Sequence, residues 1–161
     1  MERLDNSRWG LESNCFVCEE TNPGGLRVPF FVDRDDEVVT ARFTLDDRFS
    51  GAPSYVHGGV VLALLDEAMA WATIALGGCF AVTKETTTRF KVPVMVGDRY
   101  EVRARIAGDD GSELDCTAEV VDDAGVVSAE ATAVFVALGP AQALDAAGAA
   151  VPEAARSFIR S

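Results

Sequence analysis

Two carboxylates, Asp66 and Glu67, stand side by side in the middle of an otherwise apolar run, VVLALLDEAMAWATIAL. An ionised carboxylate taken out of water without a partner costs several kcal/mol, so each acid in such a run needs a reason. Successive residues on a helix lie about 100° apart around its axis, so the two point in different directions and one cleft solvates at most one of them. Either the helix has a wet edge that carries both, or one acid lines a cleft as a nucleophile or general base. Just before the run stands His57-Gly58-Gly59. Glycines at a helix start leave backbone N–H groups open to a ligand, and the helix dipole adds partial positive charge there. Such a place can stabilise the oxyanion of a carbonyl under attack. It can equally be a tight entry turn with a structural histidine. His57 is the only histidine in the chain, so a serine triad would have to use it, and no G-x-S-x-G motif supports one.

The spacing of these groups has a consequence for assembly. Gly58 and Asp66 are eight residues apart on one helix, roughly 12 Å along its axis. An attacking group and an oxyanion donor must both lie about 3 Å from one reacting carbon. One helix cannot achieve that, whereas two antiparallel helices about a two-fold axis can set Gly58 of one chain beside Asp66 of the other. If both residues are catalytic, the active unit is at least a dimer.

The elements that position these groups follow from pattern and punctuation. The helix is expected from Gly58 to about Leu76, stopped by Gly77-Gly78. Before it, Leu26–Val32 and Glu37–Leu45 read as strands, followed by a loop from Asp46 to Val56. After it, Ala81–Val92, Arg99–Ile106, Glu113–Val121 and Val126–Ala137 read as four strands, with Gly-Asp at 97–98, Gly108–Gly111 and Asp122–Gly125 as turns. Short turns predict an antiparallel meander. A sheet must cover its apolar face, and only one substantial helix is available. That helix is apolar almost all round, as a buried helix is. The expected class is α+β, a curved antiparallel sheet wrapped around one long central helix, which is the hotdog architecture. Residues 1–25 form a polar, turn-rich segment and 26–138 the domain. Residues 139–161 form an Ala-rich tail, read as a weak helix or frayed.

Composition excludes several functions. The 161 residues fit one domain, and 48% hydrophobic content is too high for a disordered chain. A net charge of −12 argues against non-specific nucleic-acid binding and against docking on anionic lipid. The apolar run is too short and too charged for a membrane span. The N-terminus, MERLDNSRWG, lacks the apolar core of a secretory signal, so a cytoplasmic location with reduced thiols is expected. Of the four cysteines, Cys15 and Cys18 form a C-x-x-C. A structural zinc usually takes a second such pair or two histidines, and the sequence has neither. A reduced structural pair is therefore favoured over a metal or redox site.

The segment SYVHGGVVLALLDEAMAWA, with Phe49-Ser50-Gly51-Ala52-Pro53 before it, resembles the hotdog-fold thioesterases of the phenylacetate-pathway and hydroxybenzoyl-CoA type, marked by HGG and an Asp nine residues after the His. Cys15-Phe16-Val17-Cys18 with Asn22-Pro23 and Gly25-Leu26 looks like the N-terminal segment of many members, and TKETTTRFKVPVMVGD is similar to their next strand. The resemblance spans about residues 15 to 137. It implies hydrolysis of an acyl-CoA thioester without a cofactor, by a homodimer or dimer of dimers. By that resemblance Gly58 donates its N–H to the thioester oxygen, with Gly59 beside it and His57 shaping the loop. Asp66 of the other subunit is nucleophile or general base, Thr83 orients it or its water, and Glu67 is second choice to Asp66. Relatives carry Asn or Gln about six residues before the His, where this chain has Gly51. Met69, Trp71 and Phe90 would receive the acyl group, each with ordinary packing as the alternative. Lys84, Arg89 and Lys91 would meet the coenzyme phosphates, or merely guard a solvated strand edge. Two other readings remain: a non-catalytic acyl-CoA binder or sensor, and a hotdog dehydratase or hydratase, which needs a His general base.

Overall fold

The structure is a computed structural model that describes residues 1–10, 13–148 and 150–160, and the side chains of all of these but Trp9. Four positions of the two terminal segments (11, 12, 149 and 161) lie outside the described residues. In chain order the strands before the helix are β1 (Glu2–Arg3), β2 (Phe31–Asp33), β3 (Val38–Phe43), β4 (Ser50–Ala52) and β5 (Tyr55–Val56). The long helix α1 (Gly58–Ala75) is followed by β6 (Ala81–Phe90), β7 (Tyr100–Asp109), β8 (Glu113–Asp122), β9 (Val127–Ala137) and α2 (Pro140–Ala147).

Seven strands form one antiparallel sheet in the order β1-β2-β3-β7-β8-β9-β6, and β4 and β5 form a small separate hairpin. The expected meander exists only in β7-β8-β9. Strand β6 does not pair with β7, its successor in sequence; it lies at the far end against β9, and β7 pairs with β3. The reason is α1. The helix crosses one face of the sheet, so the chain leaves it at the opposite end of the sheet from β3. Residues 91–99 then carry the chain back to β7 beside β3.

Helix α1 covers the sheet with Val61, Leu64, Leu65, Ala68, Met69 and Ala72, all buried. Each large apolar side chain removed from water contributes about 1.5–3 kcal/mol. By length and composition this helix passes for a membrane span, but here its apolar surface packs on β3 and β6–β9. Facing it from the sheet are Val39, Ala41, Val102, Ala104, Leu114, Cys116, Ala131, Ala133 and Phe135, buried at alternate positions of their strands.

Two expectations change at the ends. The Leu26–Val32 segment is a strand only from Phe31, because Arg27 takes a left-handed φ of 57° and Pro29 has no N–H to donate. The C-terminal tail is docked rather than frayed. Its helix α2 and a 3-10 turn at Glu153–Phe158 bring Ala155 into the core and set the Phe158 ring 5.4 Å from that of Phe80. Leu4 and Val17 join the same core from the other end, so the flanking segments pack with the central one.

Arg160 closes the tail with two 2.7 Å bonds to the Asp109 carboxylate and one of 3.1 Å to Gly77 O. The Arg160 guanidinium holds the Asp109 carboxyl down to about 2, from an ordinary 3.8. A depressed carboxylate contributes stability that is present above its unfolded pKa and is lost as pH falls through the folded one. The tail clasp is therefore expected to be intact above pH ~4 and lost towards pH 2. Hydrogen exchange at Phe80 and Arg160, whose N–H groups bond Phe158 O and Leu138 O, reads it directly. Protection that is unchanged between pH 4 and pH 2 would refute this.

Candidate active site along the central helix

Helix α1 begins at a capped turn. His57 is the N-cap, and its Nδ1 accepts a 2.9 Å hydrogen bond from Gly59 N–H. Its carbonyl takes the N–H groups of Val60 and Val61, and its own N–H goes to Phe49 O in the strip leading to β4. The Gly59 N–H is thus consumed by the cap and does not face a ligand, contrary to the expectation that it works beside Gly58. The Gly58 N–H meets no acceptor among the described residues, and Gly58 is exposed. Because Nδ1 accepts, the proton of a neutral His57 sits on Nε2.

Gly51 packs flush against this cap. A Cβ there would lie 3.1 Å from His57 Cα and 3.2 Å from its Cδ2. The hairpin β4–β5 therefore presses on the histidine with bare backbone, and an Asn or Gln side chain has no room unless His57 moves.

Two turns along the helix, Asp66 accepts a 2.6 Å hydrogen bond from Thr83 Oγ1 on β6. This carboxylate is half-buried and Thr83 is exposed, so the pair opens to solvent along the outer flank of β6. Gly58, Leu62, Asp66 and Ala70 recur at intervals of four and so share one side of the helix. At its start, a Cβ on Gly58 would meet the Phe90 ring at 3.6 Å. Helix and strand thus run antiparallel, with Asp66 at the Thr83 end of β6 and Gly58 at the Phe90 end. The two groups sit at opposite ends of one flank, as the helix rise requires.

The neighbouring acid goes elsewhere. Glu67 turns towards the N-terminal segment, where Cys15 Sγ lies 3.4 Å from its Oε1. Burial, then the charge of Cys15, pushes the Glu67 carboxyl up to about 8. The Cys18 thiol and the backbone N–H groups of Cys18 and Val17 hold the Cys15 thiol well below its usual range. Cys18 is pushed up by its bond to Cys15 and by burial. Glu67 therefore turns towards Cys15 and Cys18, while Asp66 turns towards Thr83. The sequence hinted at this environment only through an unexplained acid in an apolar run.

The other expected contacts separate. Met69 is fully buried in the core and presents no surface to an acyl group. Trp71 is 3% exposed and borders a different cleft with Arg3, Asn6 and Phe30. Phe90 is 57% exposed, beside Gly58. Of the basic residues Lys84 stands apart, while Arg89 pairs in register with Glu130, the carboxylate that Lys91 bonds. Lys84 pairs with Glu113 at 2.7 Å and Lys91 with Glu130 at 2.6 Å. Arg89 lies on the outer face of the sheet, in a cleft of about 430 Å³ with Arg103, Arg105 and Glu119.

Comparison with known proteins agrees with this architecture. The thioesterase superfamily model matches residues 54–129, the stretch from the turn before α1 to early β9. A mouse protein, acyl-coenzyme A thioesterase THEM4, is 25% identical over 122 residues, which cover 74% of this chain and 52% of that protein. The chain thus spans about half the length of that relative. The crystal structure of a thioesterase superfamily protein superposes with a TM-score of 0.73 at 25% identity, covering 84% of this chain and 67% of the other. The PaaI protein of the Escherichia coli phenylacetic acid degradation operon gives a TM-score of 0.63 at 20% identity, over 69% of this chain and 83% of that one. An acyl-CoA hydrolase from Staphylococcus aureus gives 0.61 at 21% identity, over 68% of each chain. The long helix packed on an antiparallel sheet is the hotdog fold, and the part of it from the HGG entry of the helix into β9 matches the thioesterase superfamily model.

Proposed function

We propose that the protein hydrolyses an acyl-CoA thioester to the free acid and coenzyme A, at sites built across a dimer interface. The observation that carries this reading is the 2.6 Å bond from Thr83 to Asp66, which orients one carboxylate oxygen and leaves the other for chemistry. Asp66 removes a proton from water as it attacks the thioester carbon, or attacks the carbon itself. Gly58 N–H, at the positive end of α1, stabilises the oxyanion. On the first route the C–S bond then breaks, and the coenzyme leaves as a thiol with the proton returned to it; on the second the coenzyme leaves as thiolate, and water hydrolyses the acyl-Asp66 anhydride to the free acid and the restored carboxylate, its protons shared between the two products.

The partner is argued from β6. It is a ten-residue strand at the end of the sheet, with Val82, Phe90 and the adjoining Val92 exposed. A long, open, partly apolar edge invites pairing with a second strand. Two copies of β6 pairing antiparallel about Thr87, with the extra residue of the bulge at Lys84 set aside, would place Thr83 of one opposite Phe90 of the other. Asp66 rides on Thr83 and Gly58 on Phe90, so the same pairing brings Asp66 of one chain towards Gly58 of its partner. Relatives support the ligand class: the acyl-CoA hydrolase structure holds butyryl coenzyme A and coenzyme A.

His57 favours hydrolysis over hydration of a double bond. With Nδ1 engaged by Gly59 and the proton on Nε2, neutral His57 has no basic nitrogen left to act as a general base. A second reading, a binder that does not turn over, draws on Gly51, which supplies no amide to hold water. The two are separated by thiol release from a panel of short, medium, long and aromatic acyl-CoAs. Turnover with at least one class is expected. Saturable binding with no thiol released by the folded dimer would establish the binder instead.

A further inference from the structure

We propose that Cys15, Cys18 and Glu67 bind a divalent transition-metal ion of the zinc type, which pins the N-terminal segment to the central helix. The two thiol sulfurs and a Glu67 oxygen all lie within 4.8 Å of one another. Cys15 Sγ and Glu67 Oε1 are already 3.4 Å apart. In a tetrahedral zinc site, with Zn–S of about 2.3 Å and Zn–O of about 2.1 Å, adjacent sulfur and oxygen ligands stand about 3.6 Å apart. The three donors therefore need little movement to close on one ion.

The surroundings favour a cation over an empty contact. Glu67 projects from an apolar helix, and no Lys or Arg pairs with it among the described residues. Three groups that are anionic when they act as ligands converge at one half-buried point, which a doubly charged ion neutralises. The loop is shaped for a thiolate. Val17 N–H and Cys18 N–H point at Cys15 Sγ from 3.3 and 3.4 Å, the outer bonds that tune a metal-bound sulfur. Two sulfurs and one carboxylate suit zinc and exclude magnesium and calcium, which take oxygen alone.

The fourth position faces a cleft of about 530 Å³ lined by Asn6, Ser13, Cys18 and Glu20, through which an ion can enter. Water from that cleft fills the fourth position, or Asn6 does. Its amide nitrogen is 3.8 Å from Cys18 Sγ, and a half-turn of the amide brings its oxygen there instead. Binding releases the thiol protons to solvent. Cys15 and Cys18 sit 52 and 49 residues before Glu67, so the ion closes a long loop and adds to the contacts that hold residues 1–30 on the helix.

The test is titration of the reduced, full-length protein with Co(II), displaced by Zn(II), in the absence of any acyl-CoA. One equivalent of cobalt should give a thiolate-to-cobalt charge-transfer band and the intense visible bands of a tetrahedral site, with a rise in Tm. Cys15→Ser and Cys18→Ser should each abolish the charge-transfer band or halve it. Glu67→Gln should weaken binding by at least tenfold while retaining the thiolate signature. Should a Ser variant fold poorly, Glu67→Gln alone still decides. Absence of a stoichiometric charge-transfer band in the folded, reduced wild type overturns the proposal, as does binding unaffected by Glu67→Gln.

Discussion

Asp66→Asn should lower kcat by about three orders of magnitude and leave folding and assembly unchanged. General acid–base catalysis by one positioned side chain is worth roughly 10²–10⁴-fold. Asparagine is nearly isosteric, and its oxygen can still accept the Thr83 hydroxyl that Asp66 Oδ1 accepts at 2.6 Å. What it loses is the charge and the capacity to take a proton or attack a carbonyl. Thr83→Val should be milder. It removes one hydrogen bond to a charged group, about 1.5–3 kcal/mol, so a fall of roughly tenfold to a hundredfold is expected, and Thr83→Ser should recover most of it. Normal thiol release by Asp66→Asn would end the assignment of Asp66.

The same variant tests where the second half of the site comes from. Gly58→Pro removes the one N–H proposed to hold the oxyanion. Proline is well tolerated at the first helical position, and His57 already has the extended backbone, φ −60° and ψ 132°, that a following proline requires. Each variant alone should be nearly inactive. If the site is shared between subunits, an Asp66→Asn chain paired with a Gly58→Pro chain carries one fully intact site and one doubly damaged one. Random mixing should then restore about a quarter of wild-type activity, because about half the dimers are mixed and each has one working site of two. If both groups act within one chain, mixing restores nothing.

The largest effect on stability is expected from Phe135→Ala, a loss of about 3–5 kcal/mol for an aromatic truncated inside a core. Phe135 is completely buried on β9, with Leu114 on one side of it and Thr83 on the other in register. It lies beside Thr83 on the neighbouring strand, so the cavity opens next to the Asp66–Thr83 contact. Activity per folded molecule should therefore fall as well, while Phe135→Leu should keep most of both. The midpoint of denaturant unfolding, read beside thiol release, separates the two effects. A stability loss under about 1 kcal/mol would show that the sheet collapses to fill the space.

Arrangements local in sequence are legible in the residues themselves. An apolar run bracketed by His57-Gly58-Gly59 and Gly77-Gly78 predicts α1 closely, because helix ends are written by the residues that cap them. The hairpin strands β7, β8 and β9 follow from alternation and from turns whose glycines, Gly111 and Gly125, take positive φ. The long helix covering an antiparallel sheet follows from there being one helix and many strands. The eight residues between Gly58 and Asp66 separate the two groups by roughly 12 Å whatever else the fold does.

Tertiary structure decided what depends on contacts between distant segments. Residue patterns carry no information on which edge β6 joins, since its alternation suits β7 or β9 alike; the crossing of α1 over the sheet placed it against β9. Neither acid of the Asp66–Glu67 pair is distinguishable by type or neighbours. They part because the helix turns one towards Thr83, 17 residues on, and the other towards Cys15, 52 residues back. Lys84, Arg89 and Lys91 look like one cluster as a string, but Lys84 sits at the other end of β6 and found Glu113 on β8, while Arg89 and Lys91 meet at Glu130 on β9. Sequence thus set the chemistry available on each element, and packing chose which groups meet, because burial and partners are properties of neighbours in space rather than along the chain.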